Sequence, residues 1–136
     1  MKTKKVVLVI TDGADETVKM ASKIASALKD NQVKVKNASD FKGNDILPAD
    51  VFFLGCEKPS PPSFAYIEDL FKHINLAGRC CGIFTPGSGK AVKYLSNLVK
   101  DCEVTLYPDP GTLNEGAGRS SGSKGMEKWS QKVISM

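Results

Sequence analysis

Histidine, arginine and aromatic residues are scarce in this chain of 136 residues, and each shortage removes a class of function. His73 is the single histidine, and Cys56, Cys80, Cys81 and Cys102 form no C-x-x-C or His-paired spacing, so no zinc or other metal site is expected. Only Arg79 and Arg119 are arginines, so the net charge of +4 is carried almost wholly by lysines spread along the helices and both ends. With no arginine-rich stripe and 7% aromatic residues, few of them in loops, nucleic-acid binding is not expected. Weak attraction to a partner with an acidic surface is the inference that remains. Long apolar runs are missing too, since no window approaches the ~20 residues of a membrane span. The basic start, Met1 to Lys5, is followed by an apolar run of five residues that ends at Thr11 and Asp12, too short for an export signal. The expectation is a soluble, cytoplasmic protein without membrane contact.

What is present is an ordinary globular composition, 41% apolar and 25% charged, in a length that suits one domain over 1–136. Such a chain buries roughly two thirds of its unfolded surface without metal or disulfide support. Residues 5–10 read as a strand buried on both faces, after which Val18, Ala21, Ala25 and Leu28, with Ile24 beside them, fall at helical spacing and Lys19, Lys23 and Lys29 take the wet side. A second strand is expected over 33–37. Residues 39–48, punctuated by Gly43 and Pro48, read as a connection rather than a crossover helix. The strongest strand is 51–55; a turn-rich loop over 56–62 leads to a helix over 63–74 with Phe64, Ile67, Phe71 and Ile74 inward. A strand over 80–84, a loop over 85–90 and a helix burying Val92, Leu95, Val99 and Cys102 follow. The chain closes with a strand over 104–107, a glycine-rich loop over 108–125 that is expected to be mobile, and a helix over 126–135 with Trp129 and Val133 inward.

Five strands alternating with helices predict an α/β fold, a doubly wound parallel sheet with helices on both faces. A ligand in such a sheet lies beyond the carboxyl ends of the strands, where loops 11–17, 56–62 and 85–90 converge. The first of these loops carries the most information. Strand, hydroxyl- and glycine-containing turn, then helix N-terminus delivers backbone N–H groups and a positive dipole end to an anion. Yet Asp12, Asp15 and Glu16 stand there, and either they repel an anion or they serve the helix as capping acids. The capping reading still spends the N–H groups that a phosphate would need.

Three segments carry a resemblance. They are Asp45-Ile-Leu-Pro-Ala-Asp-Val-Phe-Phe-Leu-Gly55 with the proline-containing loop after it; Phe71 through Leu76-Ala-Gly-Arg79 to Phe84-Thr-Pro-Gly87; and Met20-Ala21 in the first helix. In these the chain resembles the flavodoxin family. The resemblance implies a flavodoxin-like five-stranded parallel sheet of strand order 2-1-3-4-5, an FMN cofactor and electron transfer. The family's phosphate loop is Ser/Thr-x-Thr-Gly-x-Thr; this chain keeps Thr11, Gly13 and Thr17 in a loop one residue longer. Alignment on Met20-Ala21 puts Asp15 and Glu16 where Gly and usually Asn would stand. If FMN binds, the resemblance assigns its phosphate to Thr11, Asp12, Gly13, Ala14, Asp15, Glu16 and Thr17. Its ring falls between Cys56, Glu57, Lys58, Pro59 on one side and Thr85, Pro86, Gly87, Ser88 on the other.

Three departures weigh against that site. Each acid close to a phosphate costs about 1 kcal/mol at the solvated limit and several at an effective dielectric near 20. The two ring loops hold no aromatic residue, which leaves Tyr107 and the 108–125 loop as the remaining sources of one. Flavodoxins are usually strongly acidic, whereas this chain is basic. The expectation is therefore a flavodoxin-like interaction or regulatory module, not an enzyme, whose eroded site binds FMN weakly or not at all. The alternative is an FMN-dependent flavodoxin-type electron carrier, and in either case the partner expected is a redox or regulatory protein.

Other motifs say less. Gly87-Ser-Gly-Lys90 lacks the glycine at Phe84 and the hydroxyl at Ala91 that a P-loop requires, although Lys90 remains a candidate anion contact. Cys56 lies at the ligand edge with Lys58 near enough in sequence to favour a thiolate; the commoner reading is a small buried hydrophobe. Cys80 and Cys81 belong to the opposite edge as packing residues, and His73 to the surface.

Overall fold

The computed structural model describes residues 5–86, 89–108, 110–112 and 122–135. In chain order these form β1 (Val6–Thr11), α1 (Asp15–Ala27), β2 (Gln32–Asn37), α2 (Gly43–Ile46), β3 (Val51–Gly55), a 3-10 turn (Pro62–Phe64) and α3 (Ala65–Leu70). They continue with β4 (Cys80–Thr85), α4 (Gly89–Leu98), a second 3-10 turn (Lys100–Cys102), β5 (Thr105–Leu106), β6 (Gly111–Thr112) and α5 (Gly122–Ile134). The strands are parallel in the order β2-β1-β3-β4-β5, with β6 also on β4, so the fold expected from the alternation and the resemblance is found.

The central strands are apolar along their length because helices cover both of their faces. Side chains alternate between the two. Val7, Val9, Val51, Phe53 and Phe84 pack with Met20, Ile24 and Leu28 of α1 and Trp129 and Val133 of α5. Leu8, Ile10, Phe52, Leu54, Cys81 and Ile83 pack on the other side with Phe64, Ile67 and Phe71 around α3 and Ala91 and Leu95 of α4. Thr11 stands beside Gly55, and Gly55 beside Phe84, so the loops leaving β1, β3 and β4 emerge together at one edge. The chain reverses direction across the sheet between β1 and β3, which makes this edge the switch point.

Several details depart from expectation. The buried stripe of α1 is Thr17, Met20, Ala21, Ile24 and Leu28, and Val18, expected inward, is 41% exposed; the inward position in the first turn is held by a threonine instead. Helix α3 ends at Leu70, and Phe71 turns inward from the turn after it while Ile74 is only half-buried. Within 39–48 the connection includes the single turn α2.

The fifth strand position is split. β5 pairs with Cys80 and Cys81, and β6 with Phe84 and Thr85, although 108–125 was expected to be loop. The chain advances five residues from Leu106 to Gly111 while β4 advances three from Cys81 to Phe84, so this strand position holds two residues more than the stretch of β4 it faces. Gly111 lies close under the Trp129 indole, which stands 3.1 Å from where a Cβ would be, so a side chain there would press on the ring. α5 begins at Gly122 rather than 126, and residues 113–121 lie outside the described residues. Among the described residues no helix is long and apolar enough to cross a membrane.

Candidate functional site

The loop between β1 and α1 is built around the side chain of Asp12. β1 ends at Thr11, which is buried and whose Oγ1 accepts the Gly13 N–H at 3.2 Å. Gly13 has φ +86°, a conformation that favours glycine, and a Cβ there would displace the Asn37 amide, which stands 2.5 Å away. Asp12 Oδ1 accepts the Ala14 N–H at 3.0 Å, and its Oδ2 accepts the Glu57 N–H of the second loop at 2.8 Å. Ser63, just past that loop, donates from Oγ to the Asp12 carbonyl at 3.3 Å. One half-buried carboxylate thus ties the first loop to the second.

Helix α1 then starts without a side-chain cap. Its cap residue Ala14 has no side-chain acceptor to offer, and the described residues give none to the N–H groups of Asp15, Glu16 and Thr17. Asp15 and Glu16 are exposed, and Glu16 pairs with exposed Lys19 at 3.3 Å, a contact worth little in water. Thr17 is the opposite case. It is fully buried, and its hydroxyl has no hydrogen-bond partner.

The three acids therefore divide: Asp12 faces the protein, while Asp15 and Glu16 face solvent and favour the helix dipole without capping it. Counting back five positions from Thr17 puts Asp12, not Thr11, at the first hydroxyl of the phosphate motif and Ala14 at the middle one. Of three hydroxyls that motif would bring, this loop keeps one.

The ring loops are equally altered. Gly55 lies under the ring of fully buried Phe84, which turns onto the α1 face of the sheet. Cys56 is fully buried, and its thiol is pushed up to about 12, first by burial and then by the charge of Asp12. It is a protonated packing group at neutral pH, and exposed Lys58 does not offset this. Glu57 is half-buried; Pro59 is exposed. In the third loop Thr85 is buried and Pro86 half-buried, while Gly87 and Ser88 lie outside the described residues. Lys90 is exposed in the first turn of α4. Tyr107 is not at this edge: its N–H bonds to the Cys81 carbonyl, and its side chain lies with Gln131, Lys132 and Ser135 at the far end of α5.

The remaining candidates do not join the site. His73 is exposed, 4.0 Å from Asp69. Cys81 is buried, and burial, followed by Cys102 and Cys80, holds its thiol well above the usual range. Among the described residues no group of three or more His, Cys, Asp or Glu could hold a metal. A cavity of 290 Å³ between α3 and α4, lined by Ser60, Glu68, Phe71, Tyr94 and others, had no signal in the sequence. There Tyr94 donates to Glu68 at 2.6 Å, and burial, then that carboxylate, raises the phenol above its ordinary value.

Ser63 and Asn37 were also missed. Each acts on the first loop from a distant element, and only the folded chain brings them to it.

No model of a protein family matches this sequence, and no curated protein matches it. Solved structures do. The chain is similar to oxidised flavodoxin 2 from Bacillus cereus, with TM-score 0.82 and 16% identity over 96% of this chain and 98% of that one. It is similar to the flavodoxin of Fusobacterium nucleatum bound to flavin mononucleotide, with TM-score 0.77 and 12% identity over 98% of each chain. The two-electron reduced flavodoxin of Megasphaera elsdenii gives TM-score 0.71 and 22% identity over 93% of this chain and 99% of that one. At these identities the likeness establishes a flavodoxin-like fold across nearly the whole chain.

Proposed function

We propose that this chain is a flavodoxin-fold interaction or regulatory module that binds FMN weakly or not at all. The observation that carries this reading is the Asp12 carboxylate on the N–H groups of Ala14 and Glu57. A flavodoxin neighbour binds FMN, and the test for this chain is whether its residues fit the same phosphate. The Thr17 hydroxyl and the open N–H groups of the first helical turn fit it. The carboxylate does not: it takes up donors in the same loop and sets a negative charge against a dianion in a half-buried place, where opposition of like charges costs several kcal/mol. On balance the loop does not fit the phosphate. The ring loops, with no exposed aromatic face, add little that would compensate.

The same edge carries exposed Lys58 and Lys90, and the net charge of +4 suits a redox or regulatory protein partner with an acidic surface. A second reading, an FMN-dependent electron carrier, is favoured by Thr17 alone, since a buried hydroxyl without a partner is what a ligand oxygen would satisfy. A visible spectrum of the purified protein, followed by titration of FMN with its fluorescence monitored, separates the two. A colourless protein that leaves FMN fluorescence unchanged supports the module; a flavin spectrum or tight quenching selects the carrier and removes the first reading.

A further inference from the structure

The first turn of α1 has two independent features that would suit an oxyanion. Its N–H groups at Asp15, Glu16 and Thr17 meet no acceptor among the described residues, and the hydroxyl of fully buried Thr17 has no partner. Burying a hydroxyl unpaired is costly, and native proteins tolerate few such groups. Beside these groups sits Asp12, the one half-buried acid of the loop. Asp12 is held at both carboxylate oxygens and again through its carbonyl, so it has little freedom to swing away from an incoming anion. Asp15 and Glu16, in contrast, are exposed, and solvent screens them.

We propose that Asp12 is the specificity-determining residue of this edge: a resident carboxylate that denies oxyanions to what remains of a cradle, the Thr17 hydroxyl and the first-turn N–H groups. This deepens the reading of the site as an altered phosphate loop and rests on it. Neutralising Asp12 opens the cradle to phosphate, whereas neutralising the two exposed acids does not.

The test titrates inorganic phosphate by calorimetry, and FMN against riboflavin by fluorescence quenching, into the wild type, Asp12→Asn, Asp12→Ser and the double variant Asp15→Asn/Glu16→Gln. Far-UV circular dichroism checks that each is folded. Asp12→Asn retains a carbonyl oxygen for one of the two N–H donors, so it guards against loss of the loop. The expected result is that both Asp12 variants bind phosphate at least about tenfold more tightly than the wild type and gain for FMN but not for riboflavin. The exposed-acid variant gains little, and adding Thr17→Val to Asp12→Ser abolishes the gain. Folded Asp12 variants without a gain, an equal gain from the exposed acids, or a gain that survives loss of the Thr17 hydroxyl would each overturn the assignment. A wild type that leaves FMN fluorescence unchanged, with silent Asp12 variants, defeats this inference and leaves the proposed function standing. A wild type that binds FMN tightly, with still tighter Asp12 variants, does the reverse.

Discussion

Replacing Thr17 by valine should stabilise this protein, a sign opposite to that of most core substitutions. Thr17 is fully buried on the inward stripe of α1, and its Oγ1 has no hydrogen-bond partner. A buried donor or acceptor left unpaired costs about 1–3 kcal/mol, and that cost vanishes when a group of the same shape without polarity takes its place. Valine has that shape, keeps the branched Cβ and has a helix propensity close to that of threonine, so neither packing nor backbone terms oppose the gain. For a chain of this size 1 kcal/mol is worth roughly 4 °C in Tm, so Thr17→Val should raise the melting temperature by roughly 4–12 °C. Thermal unfolding followed by circular dichroism reads this directly. An unchanged or lower Tm would refute the reasoning, because it would mean that the hydroxyl is already satisfied in solution, by an ordered water for example. A confirmed rise would identify Thr17 as a polar group kept at the expense of stability, a pattern that belongs to sites rather than to cores.

Two further predictions follow from the geometry of the same edge. A methyl at Gly55 would overlap the Phe84 ring, so Gly55→Ala should lower stability by about 1–3 kcal/mol or more, and Phe84→Leu in the same chain should restore part of it; equal melting of wild type and Gly55→Ala would sink this packing account. Cys56 should resist thiol reagents at pH 8 in the native protein while half-buried Cys80 reacts first, because burial and Asp12 push the Cys56 thiol from 9.0 up to about 12. The folded state then holds a proton that the unfolded state releases between about pH 9 and 12, so the contribution of Cys56 to stability is complete below pH 9 and falls through that window. Urea midpoints that rise from pH 8 to pH 10 in the wild type but not in Cys56→Ala would contradict that sign.

How legible each part was depended on whether its cause was local. β1, β3 and β4 could be read from their continuous apolar runs, since being covered on both faces leaves them no polar alternation, and their order followed from the resemblance. The stripe of α1 was displaced because hydropathy ranks Val18 above Thr17, yet the threonine is inside. β6 was hidden by Pro108, Pro110 and Gly111, which read as a turn until Trp129 is seen to cover the glycine. Within the site, the acids and Thr17 were visible as residue types, but their division into one inward and two outward carboxylates was not. That division depends on the Glu57 N–H, 45 residues from Asp12, and on Ser63, 51 residues away, and neither contact has a signal in local sequence.

The contrast between Asp12 and Thr17 bears on what this edge can recognise. A phosphate loop is ordinarily organised by its ligand, which supplies the acceptors for the backbone donors around it. Here the chain supplies some of those acceptors itself. Asp12 satisfies one N–H from each of two loops and so holds them together without a ligand. A contact closed in this way does not respond to ligand concentration, so on the proposed reading a partner with an acidic surface would meet the exposed Lys58 and Lys90 of this edge. Such groups bind a surface rather than enclose a small molecule, and their energies are screened by salt, so an interaction here should weaken steeply as ionic strength rises. The substitution is nevertheless incomplete. Asp12 reaches neither the Thr17 hydroxyl nor the first-turn N–H groups of α1, so the cradle persists beside the carboxylate that excludes its ligand, and one charge separates the two states of the loop.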